Sequence, residues 1–363
     1  MATVCSQTPL AEGVEPPGPF RPMVDEPCMP ERHGASVRME DIARAAGVSL
    51  MTVSNAFQRP AKVRAETRER IYAAADALGY VPNRVAGNLA SGRSRFVGAI
   101  VPSLRNSNFA GMVQGLQERL EAHGHELLLA NADTAERQVG AARIFLGRRV
   151  SGLVLTGTEH PPGLSAMLRA ARLPVVETFS VDGPFIDMAV GFSNYAASRA
   201  LMALVIEQGY QHVGFAGYAP RDMRFRERQR GFQDALAEAG LRNDLLFFGP
   251  ETLGFSGGRH ALDHLLGIEP RLQALICVTD IVAVGALFEC QRKGWSVPDR
   301  FAVAGYGDYE IAAEVPPGLT TVQTRARIIG ATAADLLVDR GEQRSVPDPI
   351  RDIGYQLVRR GSL

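Results

Sequence analysis

Apolar positions first fall into helical spacing near residue 40. A short segment at 40–46 puts Ile42, Ala45 and Ala46 on one side, and Gly47-Val48-Ser49 interrupts it. Ser49 is well placed to cap a second short helix at 50–57. A third at about 64–78 carries Ile71, Ala74, Ala75 and Leu78 at i, i+3, i+4, i+7 spacing, and Gly79 stops it. After Arg95 the rhythm changes. Short apolar runs at 96–101, 126–130, 152–156 and 174–177 alternate with amphipathic helices at 109–123, 137–148 and 164–171. A second series alternates helices at 195–208, 226–239, 256–266 and 282–293 with strands at 213–217, 245–248, 274–279 and 301–306. Repeated strand–helix units specify parallel sheets covered on both faces. The expected fold class is therefore α/β: an N-terminal three-helix domain, then two doubly wound parallel-sheet lobes with a cleft between them.

Residues 1–35 break from both rhythms. They carry Pro at 9, 16, 17, 19, 22, 27 and 30 and few large apolar side chains. Such a stretch cannot bury enough surface to offset its ordering entropy, so a disordered extension is expected. Met23, Met29 and Met39 each offer an alternative start.

Charge changes the picture by its distribution. The 363 residues are 46% hydrophobic and 21% charged with a formal net charge of zero. Between Ser36 and Arg95 stand ten Lys or Arg against five acids, which leaves +5 there and −5 on the remainder. A basic reading head on an acidic body fits nucleic acid binding. Cys5, Cys28, Cys277 and Cys290 form no CxxC and no Cys/His cluster at metal spacing, so free thiols and no metal are expected. No apolar run reaches the roughly 18 residues of a membrane span, and no signal peptide opens the chain. A cytoplasmic protein without membrane contact is the expectation.

The segment VRMEDIARAAGVSLMTVSNAFQRPAKVRAETRERIYAAADALGYVPNRVAGNLASGRSR resembles the headpiece of the LacI/GalR family of transcriptional regulators over its whole length. It carries D-I-A-x-x-A-G-V-S, T-V-S, E-T-R-E-R, L-G-Y-x-P-N and an S-G-R-S linker. The resemblance implies a helix-turn-helix at 36–82, a hinge helix and linker at 83–95, and an effector-binding and dimerisation core at 96–360. A recognition helix enters the major groove N-terminus first, so Leu50, Met51 and Asn55 are the candidate base readers. Ser49, Thr52 and Ser54 are short hydroxyls suited to phosphate. The family commonly has Arg at the position of Asn55; Arg reads guanine, whereas Asn prefers adenine. Arg64 replaces the family's usual capping Ser on the third helix and could reach a phosphate.

By the same resemblance, NRVAGNLA (83–90) corresponds to a hinge helix, with Asn83 and Arg84 at its start and Leu89 the wedge for the minor groove, Ala86 one turn earlier. Gly87 costs the helix roughly 1 kcal/mol against Ala, so the hinge is expected to fold only on operator DNA.

Residues 96–360 resemble the family's core, which shares the fold of periplasmic sugar-binding proteins. PSLRNSNF, PVVETF, IDMAVGFSN, DMRFRERQRGF and AGYGDYEIA look closest to the gluconate-repressor branch. Ligand contacts come from loops after strand C-termini, which selects Ser103, Asn106 and Phe109, then Glu177, then Asp280 and Asp308. Arg224 and Arg226 are both candidates for the Arg that this fold commonly turns to an effector. Arg224 and Arg228 share a helix face by i, i+4 spacing, whereas Arg226 points elsewhere. Phe255 sits where the family often stacks an aromatic on a sugar ring. Gly307 replaces one of a pair of acids found in sugar-sensing relatives, which favours an anionic ligand: gluconate or a related sugar acid. A neutral or phosphorylated sugar, or a solute-binding protein without a transcriptional role, remain the alternatives.

An enzyme is not expected, nor a cofactor. The chain has no P-loop, no G-x-S-x-G, no HExxH and no GxGxxG after a strand. The expected partners are pseudo-palindromic operator DNA, the small effector and a second copy of the chain. A dimer is expected because the C-terminus carries no Leu heptads for a coiled coil.

Overall fold

The computed structural model describes residues 37–81, 94–218, 222–249 and 254–363. The extension over 1–35 and the hinge residues Asn83, Arg84, Ala86 and Leu89 lie outside them. The chain divides into two compact units, within 1–87 and 88–363.

The first unit is a three-helix domain. Helix α1 (Met39–Ala46) ends at Gly47, whose φ of 63° is the left-handed conformation glycine adopts without strain. Helix α2 (Leu50–Gln58) begins at Ser49, whose side chain accepts from the Thr52 amide at 3.2 Å, as its position predicted. Helix α3 (Ala65–Ala77) follows Arg64, which makes no side-chain cap. Ile42, Val53, Ala56, Ile71 and Ala75 close the core. The Tyr72 hydroxyl donates to the Ala56 carbonyl at 2.9 Å, tying α3 to α2.

The second unit has two α/β lobes. In lobe 1, strands β1 (Phe96–Val101), β2 (Glu126–Asn131), β3 (Gly152–Thr156), β4 (Val175–Thr178), β5 (Met188–Gly191) and β11 (Ile350–Asp352) form one parallel sheet, ordered β11-β5-β4-β3-β1-β2. Helices α4 (Ser107–Ala122), α5 (Ala135–Gly147) and α6 (Pro162–Ala171) connect its strands. In lobe 2, β6 (Val213–Tyr218), β7 (Leu246–Gly249), β8 (Ala274–Cys277) and β9 (Ala302–Ala304) form a parallel sheet ordered β7-β6-β8-β9. Around it lie α7 (Asn194–Glu207), α8 (Met223–Glu238), α9 (Phe255–Ile268), α10 (Asp280–Arg292) and α11 (Glu310–Glu314). Strand β10 (Thr321–Gln323) pairs antiparallel with β12 (Gln356–Val358).

Most strands are buried on both faces, as parallel strands between helices must be. The two expected parallel-sheet lobes are present. The sequence pattern assigned nothing beyond Tyr306, however, and there the chain makes its return journey. After β10 it re-enters lobe 1 as α12 (Ala326–Gly341), which packs along α4. Two glycines permit that contact: a Cβ on Gly115 would lie 2.1 Å from the Arg327 carbonyl oxygen, and one on Gly330 1.9 Å from that of Met112. The chain thus crosses between lobes after β5, after β10 and after β11. These crossings place the ends of β1, β3 and β4 opposite the α8 N-terminus and the loop after β9.

Candidate functional site

On the first unit, packing sorts the side chains of α2. Val53 and Ala56 turn fully into the core, which leaves Leu50 and Met51 46% and 69% exposed at the helix N-terminus. Large apolar side chains held in water at a helix N-terminus are available for contact with an outside surface. Ser54 and Asn55 are half-buried on the same helix, and Arg64 is exposed at the start of α3. The Ser49 and Thr52 hydroxyls lie 2.8 Å apart, so each already has an internal partner.

In the second unit, the cleft is built by groups from both lobes. Asn106 caps α4 by accepting from the Asn108 amide at 3.0 Å, and the same Oδ1 accepts from the Tyr309 hydroxyl of lobe 2 at 2.8 Å. Ser103 Oγ accepts from the Arg105 amide and shapes the same loop. One turn into α4, Phe109 meets Phe179 edge-on at 5.4 Å. Over its ring sits the Arg224 guanidinium of lobe 2, 5.5 Å from the centroid.

Arg224 and Arg228 are both buried on one face of α8. Asp222 caps the helix through the Arg224 amide at 2.8 Å and also accepts from Arg224 Nε at 2.9 Å. Burial works against the Arg224 charge, but Asp222 outweighs it and holds the guanidinium above its ordinary pKa. Arg228 has a different environment. Its Nε donates to Asn194 Oδ1 at 2.9 Å and its Nη1 to the Val278 carbonyl at 2.8 Å, and it stacks 3.6 Å from the centroid of Tyr306. Among the described residues no carboxylate lies within ion-pair distance of it. Burial accordingly draws its pKa down. Asn194 also donates Nδ2 to the Phe179 carbonyl at 2.9 Å, so one amide aligns a lobe 1 loop with an arginine of lobe 2.

The remaining predicted positions separate from this cluster. Arg226 turns to the rim and pairs with Glu159 of lobe 1. Glu177 is fully buried inside lobe 1, with Oε1 2.9 Å from His160 Nε2 and Oε2 accepting from the Ile186 amide at 2.6 Å. Asp280 is also fully buried: Oδ1 accepts from Thr321 Oγ1 at 2.6 Å and Oδ2 from the Tyr309 amide at 2.7 Å. Desolvation pushes its carboxyl up to about 6. Asp308 accepts from Arg360 at 2.8 Å and Gln323 Nε2 at 2.7 Å. These three acids have their oxygens engaged by the fold itself. Phe255 stands apart, 44% exposed on α9 and 5.9 Å from Phe288 across a surface groove.

The cluster therefore gathers Asn106, Phe109 and Arg224 from the predicted set. It adds Asp222, Asn194, Arg228, Tyr306 and Tyr309, which the reading of strand ends passed over. The i, i+4 spacing of Arg224 and Arg228 was the available signal for Arg228; Asn194, at the crossing after β5, and Tyr306, in the loop after β9, lay inside the quoted stretches IDMAVGFSN and AGYGDYEIA but were not singled out within them.

Residues 38–83 match the family described as "Bacterial regulatory proteins, lacI family", and residues 203–363 match "Periplasmic binding protein-like domain". The HTH-type transcriptional regulator GntR of Escherichia coli K12 is 34% identical over 326 residues, which cover 90% of this chain and 98% of that protein. The chain belongs to the LacI family. A LacI-family regulator from Silicibacter pomeroyi superposes with a TM-score of 0.83 at 31% identity, covering 90% of this chain and 99% of that one. The lac repressor dimer bound to operator and the anti-inducer ONPF gives 0.79 at 26% identity, covering 90% and 99%. This LacI-family protein is thus a transcriptional regulator and not an enzyme, as expected from the sequence. Among its described residues no helix is long and apolar enough to cross a membrane.

Proposed function

We propose that the chain is a cytoplasmic, dimeric repressor whose grip on a pseudo-palindromic operator is set by a sugar acid held between the two lobes. Its parts are an extension (1–35), a DNA-reading headpiece (36–82), a hinge and linker (83–95) and an effector-binding and dimerisation core (96–360). Leu50, Met51 and Asn55 read base edges; Ser49, Thr52, Ser54, Arg64, Asn83 and Arg84 position the headpiece on phosphates; Ala86 and Leu89 line the minor-groove wedge. Structural likeness to a lac repressor dimer on its operator supports the dimeric, DNA-bound arrangement.

One observation carries the effector reading: of two buried guanidinium groups, Arg224 is ion-paired with Asp222, while Arg228 has no carboxylate at ion-pair distance among the described residues. A dry site with an uncompensated positive charge favours a ligand that brings a negative one. Asn106, Phe109, Arg224 and Arg228 are the proposed contacts, with Ser103, Glu177, Asp280 and Asp308 holding their loops in place and Arg226 at the rim. Gluconate is the preferred candidate because the core resembles the gluconate-repressor branch. By linkage the acid changes operator affinity by the same factor by which operator changes affinity for the acid.

Calorimetry on the full chain against gluconate, related sugar acids and neutral hexoses tests the ligand class, and heat only from the neutral sugars would overturn it. Gel shifts with Leu89→Ala test the hinge: strong weakening of operator binding is expected, and unchanged affinity would remove the wedge.

A further inference from the structure

Among the described residues, two buried oxygen atoms on the loops facing α8 have no hydrogen-bond partner. They are the hydroxyl of Tyr306, a residue 3% exposed, and Asp182 Oδ2; neither has a partner of hydrogen-bond geometry among the described residues. Folded proteins rarely leave such atoms unsatisfied, because each costs its full desolvation. The two lie on opposite lobes: Asp182 on the turn after β4, Tyr306 on the loop after β9. The turn is set by Ser180, whose Oγ accepts from the Asp182 amide at 3.1 Å. Its preceding residue, Phe179, gives its carbonyl to Asn194, and Asn194 in turn holds Arg228. The Arg228 guanidinium carbon lies over the Tyr306 ring, 3.6 Å from its centroid, so the arginine meets the ring and not the hydroxyl in hydrogen-bond geometry. A Cβ on Gly183, the residue after Asp182, would lie 3.3 Å from Met223 Sδ at the start of α8, so this lobe 1 turn stands against the helix that carries Arg228.

We propose that Asp182 and Tyr306 are the hydroxyl-reading residues of the effector site and that its ligand is a polyhydroxylated carboxylate. This rests on the sugar-acid reading above. The ligand carboxylate faces the Arg224–Arg228 pair. One ligand hydroxyl donates to Asp182 Oδ2, an acceptor that a bare carboxylic acid would leave unpaired. Another exchanges a hydrogen bond with Tyr306 Oη. Because the two readers belong to different lobes, a ligand that satisfies both also ties the lobes together.

The test uses Tyr306→Phe and Asp182→Asn in the full-length protein, with D-gluconate and hexanoate as probes. Ligand-free thermal unfolding and calorimetric affinity are both measured. A ligand-reading role predicts ligand-free unfolding temperatures equal to or above wild type, since removing an unsatisfied buried group relieves a cost. It also predicts gluconate affinity falling on the order of tenfold in each variant, and hexanoate binding far more weakly than gluconate to wild type. If both variants unfold at lower temperature, the atoms serve the fold and the proposal fails. If gluconate affinity is unchanged in both variants, or hexanoate binds as tightly as gluconate, the proposal fails while the acid reading stands. Wild type that binds neither acid removes both readings together.

Discussion

Asn106 Oδ1 and the Tyr309 hydroxyl meet at 2.8 Å across the cleft, so the residue that caps the first helix of lobe 1 is also a strut to lobe 2. Tyr309 is buried, and burial pushes its phenol up, which keeps it a donor at any physiological pH. Tyr309→Phe removes the strut and keeps the ring. The expected cost is about 1 kcal/mol, read from the denaturant midpoint. Small-angle scattering of the ligand-free variant should show a larger core radius of gyration. An unchanged midpoint and radius would mean that the contact does not hold the lobes.

Arg226 and Arg228 make a paired prediction, because one helix presents them to different surroundings. Arg228→Lys cannot reproduce the planar contacts to Asn194, Val278 and the Tyr306 ring. Tenfold or greater loss of acid affinity is expected, and the change in operator affinity on adding the acid should shrink in step. Arg226→Ala removes a half-exposed ion pair with Glu159, which is worth at most about 1 kcal/mol. Acid affinity should therefore move by a few-fold at most. Calorimetry on the two variants side by side decides this, and the reverse ranking would move the site to the rim.

The headpiece was legible because its signals are local: Ser49 caps the helix its position announced, and Gly47 turns where the pattern breaks. The two lobes were legible because parallel strands are continuous apolar runs. The cleft was less so. Glu177, Asp280 and Asp308 lie near strand ends, as effector ligands do, yet their oxygens are consumed by Ile186, His160, Thr321, Tyr309, Gln323 and Arg360. Those partners are up to 52 residues away in sequence, so no local pattern could reveal them. The return of α12 to lobe 1 was hidden for the same reason: it is fixed by contact with α4, some two hundred residues earlier.

Asn55 sets a prediction about DNA. An Asn in the major groove pairs its amide with adenine, whereas Arg forms two bonds to guanine, and each such pair discriminates by about 1–3 kcal/mol. Asn55→Arg should move the preferred base at one symmetric pair of operator positions from A·T to G·C. Competition gel shifts with operators substituted at each position would show it. The headpiece core should be indifferent, since Asn55 is only half-buried and makes no side-chain hydrogen bond among the described residues. A variant with unchanged preference would place Asn55 on the backbone and not on a base.

Asp280 gives the protein a pH dependence whose direction is fixed by burial. Its carboxyl is pushed up to about 6 by desolvation, despite the Thr321 hydroxyl and Tyr309 amide that favour the charged form. Asp308 nearby also raises it, while Arg360 lowers it. In the unfolded chain the same group titrates near 4. Between these values the unfolded state releases its proton while the folded state keeps it. The folded state is therefore favoured below about pH 4 and progressively penalised as pH rises to about 6, by up to about 1.4 kcal/mol per pH unit. Asp280→Asn abolishes that term, at the cost of a poorer match to one of its two donors. The stability of the variant relative to wild type should climb from pH 4 to 6 and then level off, measured by urea unfolding across that range. A difference that stays flat through pH 4–7 would mean that Asp280 is ionised in the fold as readily as in water.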